Sequence, residues 1–265
     1  MSARAKVWLV VAAAAFATAG TAVGVTLATR SDLQERTTKP PPFVPDPTAS
    51  AEVTREVRDA LEAWPAGTVR RLRILAARYP YSALVRFELG LALAFSGLND
   101  DATRAWRQAE RVQPDSPSAV RSQDLRYPRS APGLPPFVPS FTRPSTPARS
   151  HLLRGVAYQQ ALRPVSAERE FAAAAKAAPG DAESLTAAAG SLYDKDRPAL
   201  AFSRLGPLVR RFPHAQTVRF HLGLLLIYFC DLPLAGRELA LARAEGPRTR
   251  LGKRAETLIK AGRKR

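Results

Sequence analysis

The 265-residue chain reads as an all-α solenoid of stacked helix pairs. Pro80, Pro114, Pro179, Pro213 and Pro247 each close an amphipathic stretch, and all but one adjacent pair lie 34 residues apart, the period of a helix-pair repeat. Each proline has a small residue twelve positions before it, a large apolar residue eight before it and a small or apolar residue five before it. An alanine-rich bundle without repeats would not need such regular punctuation. One cysteine and three histidines are too few for a disulfide framework or a compact Cys/His metal cluster.

Residues 1–30 open with Arg4 and Lys6, followed by an uncharged run from Val7 to Thr29 that is long enough to cross a bilayer as a helix. The expectation is an N-terminal transmembrane helix, started on the inner side, with the repeat domain extracytoplasmic. Arg30, Arg36 and Lys39 blunt the charge contrast. A cleaved secretory signal competes with the anchor, using small residues around Ala17 to Ala19 or Ala28, and would leave a secreted form. Residues 31–48 follow as a proline-rich linker, with Pro40 to Pro42 favouring extended backbone.

Residues 49–114 form the first repeats. Val53, Val57, Ala60, Leu61 and Trp64 recur at helical spacing, and Thr68, Leu72, Leu75 and Pro80 complete that pair. In the next block Leu89, Gly90 and Leu93 lie on the first helix and Ala102, Trp106 and Ala109 on the second. Gly90 and Ala102 allow close approach, and Trp106 fills the space beside them. Residues 148–248 continue the array. Gly155, Tyr158, Ala167, Phe171, Ala174 and Pro179 take the same roles. So do Ala189, Leu192, Ala201, Leu205, Leu208 and Pro213, and then Gly223, Leu226, Ala235, Leu239, Ala242 and Pro247. Five helix pairs are expected.

These blocks resemble the tetratricopeptide repeat family, whose pattern joins a Leu-Gly pair, an aromatic, two alanines, a second aromatic and a closing proline. Leu89-Gly90, Ala102, Trp106, Ala109 and Pro114 match it best, while Leu93, Arg154 and Ala188-Ala189 depart from it. The resemblance covers most of residues 49 to 248. It implies a right-handed α-α superhelix and no chemistry, and with the leader it describes a membrane-anchored member. Family members that grip a peptide's terminal carboxylate use lysine and asparagine on the inner face, and that clamp is absent here.

Residues 115–147 replace nearly one period with a proline-rich insert, whose eight prolines from Pro117 to Pro147 call for turns and extended stretches. Leu125, Tyr127, Leu134, Phe137, Val138 and Phe141 are unusual company for a solvating linker. Intramolecular packing as a lid over the inner face is favoured, and external recognition through Pro135 to Pro139 competes with it.

The inward turns of the first helices outline an apolar protein-binding face of Leu84, Phe87, Leu91, Leu152, Val156, Phe220, Leu224 and Ile227, beside Gln159, with Phe137 and Phe141 contributed by the insert. The run Val218 to Cys230 suits a buried helix, with Cys230 a small buried hydrophobe. Residues 249–265 form a basic capping helix and tail, with Leu251, Ala255, Leu258 and Ile259 on one face.

Lysine and arginine exceed acidic residues by 17. A basic face suits anionic lipid, acidic envelope polymers or an acidic protein, whereas no base-reading helix pair favours nucleic acid. His151 and His221 occupy similar first-helix positions two periods apart, and Asp100-Asp101 and Glu168-Glu170 sit near second-helix starts, where carboxylates favour the helix dipole. No catalytic residue, cofactor site or metal site is assigned. The expected function is a membrane-tethered protein-protein interaction scaffold organising an envelope or membrane-associated complex. The alternative is a structural tether that binds lipid or polymer through the basic face.

Overall fold

The computed structural model describes residues 39–263, with side chains to residue 262. Two units, residues 39–128 and 129–263, each form a compact body.

The first unit contains α1 (Ala51–Leu61), α2 (Thr68–Arg78), α3 (Ala83–Phe95), α4 (Asn99–Val112) and α5 (Pro117–Arg126). Ser50 and Ser82 start α1 and α3, their side chains accepting from Val53 N and Val85 N and so satisfying otherwise orphaned donors. Helices α1/α2 and α3/α4 pair, and α5 packs on α3 and α4. Helix α3 is apolar on nearly every face because neighbours surround it, and Leu84, Phe87 and Leu91 are buried there. Gly90 of α3 lies against the Trp106 indole of α4, so that an added Cβ would overlap the ring. The indole N–H donates to the Phe87 carbonyl at 3.3 Å.

The second unit contains α6 (Pro147–Gln160), α7 (Pro164–Ala177), α8 (Ala182–Gly190), α9 (Ala199–Arg211), α10 (Gln216–Tyr228), α11 (Leu232–Glu245) and α12 (Arg250–Arg263). Helices α6/α7, α8/α9 and α10/α11 pair. Thr146, Asp181 and Asp231 cap the starts of α6, α8 and α11 through their side chains. Leu251, Ala255 and Leu258 bury one face of α12 in the core shared with α10 and α11.

The punctuating prolines have a single local role. Helices α2, α4, α7, α9 and α11 end at residues 78, 112, 177, 211 and 245, and the next proline stands two residues beyond each end. A proline there cannot continue the helix, so the chain turns into the next pair.

Four expectations are corrected. Among the described residues no helix is long and apolar enough to cross a membrane. The longest have 14 residues, about 21 Å at ~1.5 Å per residue against a hydrocarbon core of about 30 Å. Over the described residues the fold class is therefore all-α paired helices with no transmembrane helix; the leader on which the anchor was expected, residues 1–30, lies outside the described residues. Second, the insert begins with helix α5. Its Ser116 cap accepts from Ala119 N, and Pro117 sits in the first turn, where a missing N–H costs nothing. Third, Cys230 is exposed rather than buried. It takes a left-handed conformation, φ 66°, as the chain leaves α10 for the Asp231 cap of α11, and its thiol donates to the Arg129 carbonyl. Fourth, Glu170 is not at a helix start; it accepts from Arg154 at 3.0 Å and lies 2.7 Å from His151 Nδ1.

Replacing Gly90 with leucine should lower stability by about 1–3 kcal/mol through overpacking against Trp106. Gly236→Ala on α11, where the new Cβ meets nothing within 4 Å, should not lower it. Urea denaturation of the three proteins tests this, and a Gly90→Leu midpoint equal to the parent's would contradict the close approach.

Candidate functional site

In the second unit, the segment from Leu134 to Phe141 lies across the first helices of the three pairs. Prolines 135, 136 and 139 restrict both themselves and the residues before them to extended backbone, and they carry no N–H. Three of the remaining amides, those of Phe137, Val138 and Ser140, meet side chains. Phe137 N donates to Gln159 Oε1 on α6 at 2.8 Å, and Gln159 Nε2 returns a bond to the Pro135 carbonyl at 3.3 Å. Val138 N donates to His221 Nε2 on α10 at 2.9 Å. Ser140 N and Oγ donate to the two carboxylate oxygens of Glu183 on α8, at 2.5 and 2.8 Å. The Phe137 ring stacks on His221, with centroids 4.7 Å apart at 18°, and meets Phe171 edge-on. Phe141 carries the Arg149 guanidinium over its face, and its carbonyl accepts from Arg250. A shallow cleft remains beside this strap, lined by Pro135, Phe137, Gln159, Thr186, Gly190 and His221.

The first unit has a counterpart. Val44 N donates to Glu88 Oε1 on α3 at 2.9 Å, and Val44 is buried in the core. Arg121 of α5 donates to the Pro45 carbonyl, and Asp46 Oδ2 accepts from Ser118 N in the first turn of α5. The Arg58 guanidinium lies over Phe43.

Both valine acceptors are buried and neutral near pH 7. Burial pushes the Glu88 carboxyl up to about 8, opposed by the Val44 amide and the Arg121 charge, so it holds its proton. Its Oε2 has no hydrogen-bond partner. Burial pushes His221 down to about 4, against the bond to the Thr217 backbone, with Arg254 lowering it further. His221 Nδ1 lies 2.7 Å from the Thr217 carbonyl, which can only accept, so Nδ1 carries the hydrogen and Nε2 is the free acceptor for Val138. Burial also raises Glu183, with the Ser140 bonds opposing it. Glu88, His221 and Glu183 therefore each hold backbone in place, which is not the arrangement of a proton-transfer pair. Among the described residues no cluster of His, Cys, Asp and Glu could hold a metal ion.

Of the protein-binding residues expected from the sequence, Leu84, Phe87, Leu91, Leu152, Phe220, Leu224, Ile227 and Phe137 are buried, and Val156 and Phe141 are partly so. Phe137 and Leu152 share one cluster with Phe171, and Phe220, Leu224 and Ile227 belong to another with Val138. Leu84, Phe87 and Leu91 pack in the core of the first unit. Sequence reasoning did not single out Glu88, Glu183 or the pairing of His221 with the strap. A signal was available: Pro-Pro-Phe-Val-Pro occurs at both 41–45 and 135–139, and Glu88 and His221 are polar residues within otherwise apolar helix stretches.

No family model matches the chain, and no curated protein matches it. Among solved structures it is similar to the TPR2AB domain of yeast Sti1 in its complex with pHSP90. The identity is 13%, covering 80% of this chain and 86% of that one, with a TM-score of 0.36. The resemblance to a membrane-anchored tetratricopeptide repeat protein is corrected accordingly. The paired helices stand, but no described helix carries the anchor. The membrane-tethered function, the membrane partner and the single-pass extracytoplasmic location all rested on that helix, and no described helix supports them.

Two outcomes follow from this geometry. His221 has a folded pKa below its ordinary 6.5, so the unfolded chain binds more protons between pH 6.5 and 4 and stability is lost as pH falls through that window. Glu88 is shifted the other way, and its contribution is lost as pH rises from 4.5 towards 8. Glu88→Gln should abolish the second loss. Between pH 6.5 and 8 the parent's stability should decline by at most about 1.4 kcal/mol per pH unit while the variant's shows no decline; equal slopes in urea titrations would contradict a buried, protonated Glu88. Separately, replacing Leu134, Phe137 and Phe141 together with alanine should speed limited proteolysis between residues 120 and 145, and unchanged cleavage kinetics would rule out a packed strap.

Proposed function

We propose that this chain is a non-catalytic protein-interaction scaffold whose first helices form a seat for extended, proline-flanked segments. The observation that carries the reading is the strap from Leu134 to Phe141, which crosses α6, α8 and α10 with the amides of Phe137, Val138 and Ser140 answered by one side chain from each helix. A helix offers no spare backbone partner along its length, so a surface that accepts an extended segment must supply side-chain acceptors. Gln159, Glu183 and His221 do so.

The reading involves no turnover step. Glu88, Glu183 and His221 are committed to holding amides, and His151 is 2.7 Å from Glu170. Rigid helices set the spacing of the acceptors, which favours recognition of a fixed backbone conformation over adaptable contact.

Gly190 lines the cleft beside the strap, and a Cβ added there meets no heavy atom within 4 Å, which makes it the position for a photo-crosslinking residue. In cells at native abundance, a probe at Gly190 should give discrete protein adducts that a probe at Gly236 on α11 does not. Identical adduct patterns from the two positions would overturn the scaffold reading.

A further inference from the structure

The two units share two sequence elements. Pro-Pro-Phe-Val-Pro stands at 41–45 and again at 135–139. Val-Arg-Phe-Glu-Leu-Gly stands at 85–90, and Val-Arg-Phe-His-Leu-Gly at 218–223, with five of six residues identical. The structure joins them in the same way in each unit. The valine amide of the pentapeptide donates to the one hexapeptide residue that differs, Glu88 or His221, at 2.9 Å in both cases. At the glycine two residues further on, an added Cβ would overlap a side chain of the following second helix, Trp106 at Gly90 and Leu239 at Gly223. Strap, acceptor and close-packed glycine recur as a set, although 44 residues separate Val44 from Glu88 and 83 separate Val138 from His221.

We infer that the two straps are copies of one transferable ligand, the two hexapeptides are copies of its receptor, and a second copy of this chain supplies the ligand in trans. The proposal rests on the scaffold reading and names its partner. The contacts common to both straps run through features that any Pro-Pro-Phe-Val-Pro segment carries, one valine amide and prolines without N–H groups, while Ser140 and Phe141 in one strap and Asp46 in the other add contacts of their own. The prolines matter twice. They hold the segment extended before it binds, and they remove donors that an apolar helical face could not satisfy. Covalent attachment adds none of these contacts; it raises the local strap concentration to about the millimolar range. A strap from another molecule therefore competes at high protein concentration, as in exchange of an identical element between protomers. The source is a second copy because both occurrences of the ligand lie in this chain, so each molecule carries two donors and two receptors of matching chemistry.

The test uses the unmodified full-length chain and two synthetic peptides with the sequences of residues 39–47 and 133–141. With either peptide at about 1 mM, hydrogen exchange at the Val138 amide should rise at least tenfold as the strap is displaced. The 133–141 peptide with Val138→Pro should be about tenfold less effective, because it cannot donate to His221. Sedimentation of the chain alone, from about 1 to 300 µM, should reveal a self-associated species that either peptide dissolves. If neither peptide alters exchange at Val138, the transferable-ligand idea is overturned, while protein adducts at Gly190 would still support the scaffold. If the peptides displace the strap but the chain stays monomeric throughout, the second-copy assignment is overturned and the seat serves a different protein. If the 39–47 peptide fails where the 133–141 peptide succeeds, the two straps are not equivalent and the proposal fails.

Discussion

Everything distinctive about this chain follows from the cost of burying an extended backbone against helices. A strand laid beside another strand finds hydrogen-bond partners in its neighbour. A segment laid on a helix finds none, because the helix backbone is satisfied within itself. Each buried N–H left without a partner costs about 1–3 kcal/mol. The chain meets this constraint from both sides. Prolines remove donors from the strap, and Gln159, Glu183 and His221 answer the amides of Phe137, Ser140 and Val138 in the second unit. In the first unit Glu88 answers Val44.

That solution places titratable groups inside apolar helices, and their charge states follow. An ionised carboxylate or imidazolium at these positions would lose its hydration without gaining an ion pair, so both are held neutral. Neutrality is also what the bond to the strap requires of His221. A protonated imidazole has no lone pair for Val138, so the burial that depresses its affinity for protons also preserves the acceptor. Glu88 reaches the same outcome by retaining a proton while Oε1 accepts from Val44. Two different side chains thus perform one task, which explains how the hexapeptides can differ at this position and agree elsewhere.

The paired helices give these acceptors their precision. Gly90 and Gly223 let the second helix of each pair approach the first, and the side chains of Trp106 and Leu239 occupy the space a Cβ would take. The first helix is thereby fixed from behind while its other face receives the strap. The strap is then held by a rigid spacing of acceptors.

The helix pairs were legible in the sequence because their signals are local. A proline two residues beyond each second helix acts on its own neighbours, and the small and large residues before it repeat at fixed intervals whatever the rest of the chain does. Helix α5 was less legible, since the proline density around it concealed that Pro117 occupies the one part of a helix that tolerates proline. The expected binding face was read as an apolar surface, but Leu84, Phe87, Phe220 and Leu224 are core residues. The seat itself was decided by tertiary structure. A lone Glu88 or His221 in an apolar helix has no defined role until a donor 44 or 83 residues away is folded against it, and no local preference encodes that meeting. By itself the sequence determined where the chain must turn and which helices must pair; only the packed structure decided which polar groups would be buried, because that depends on what covers them.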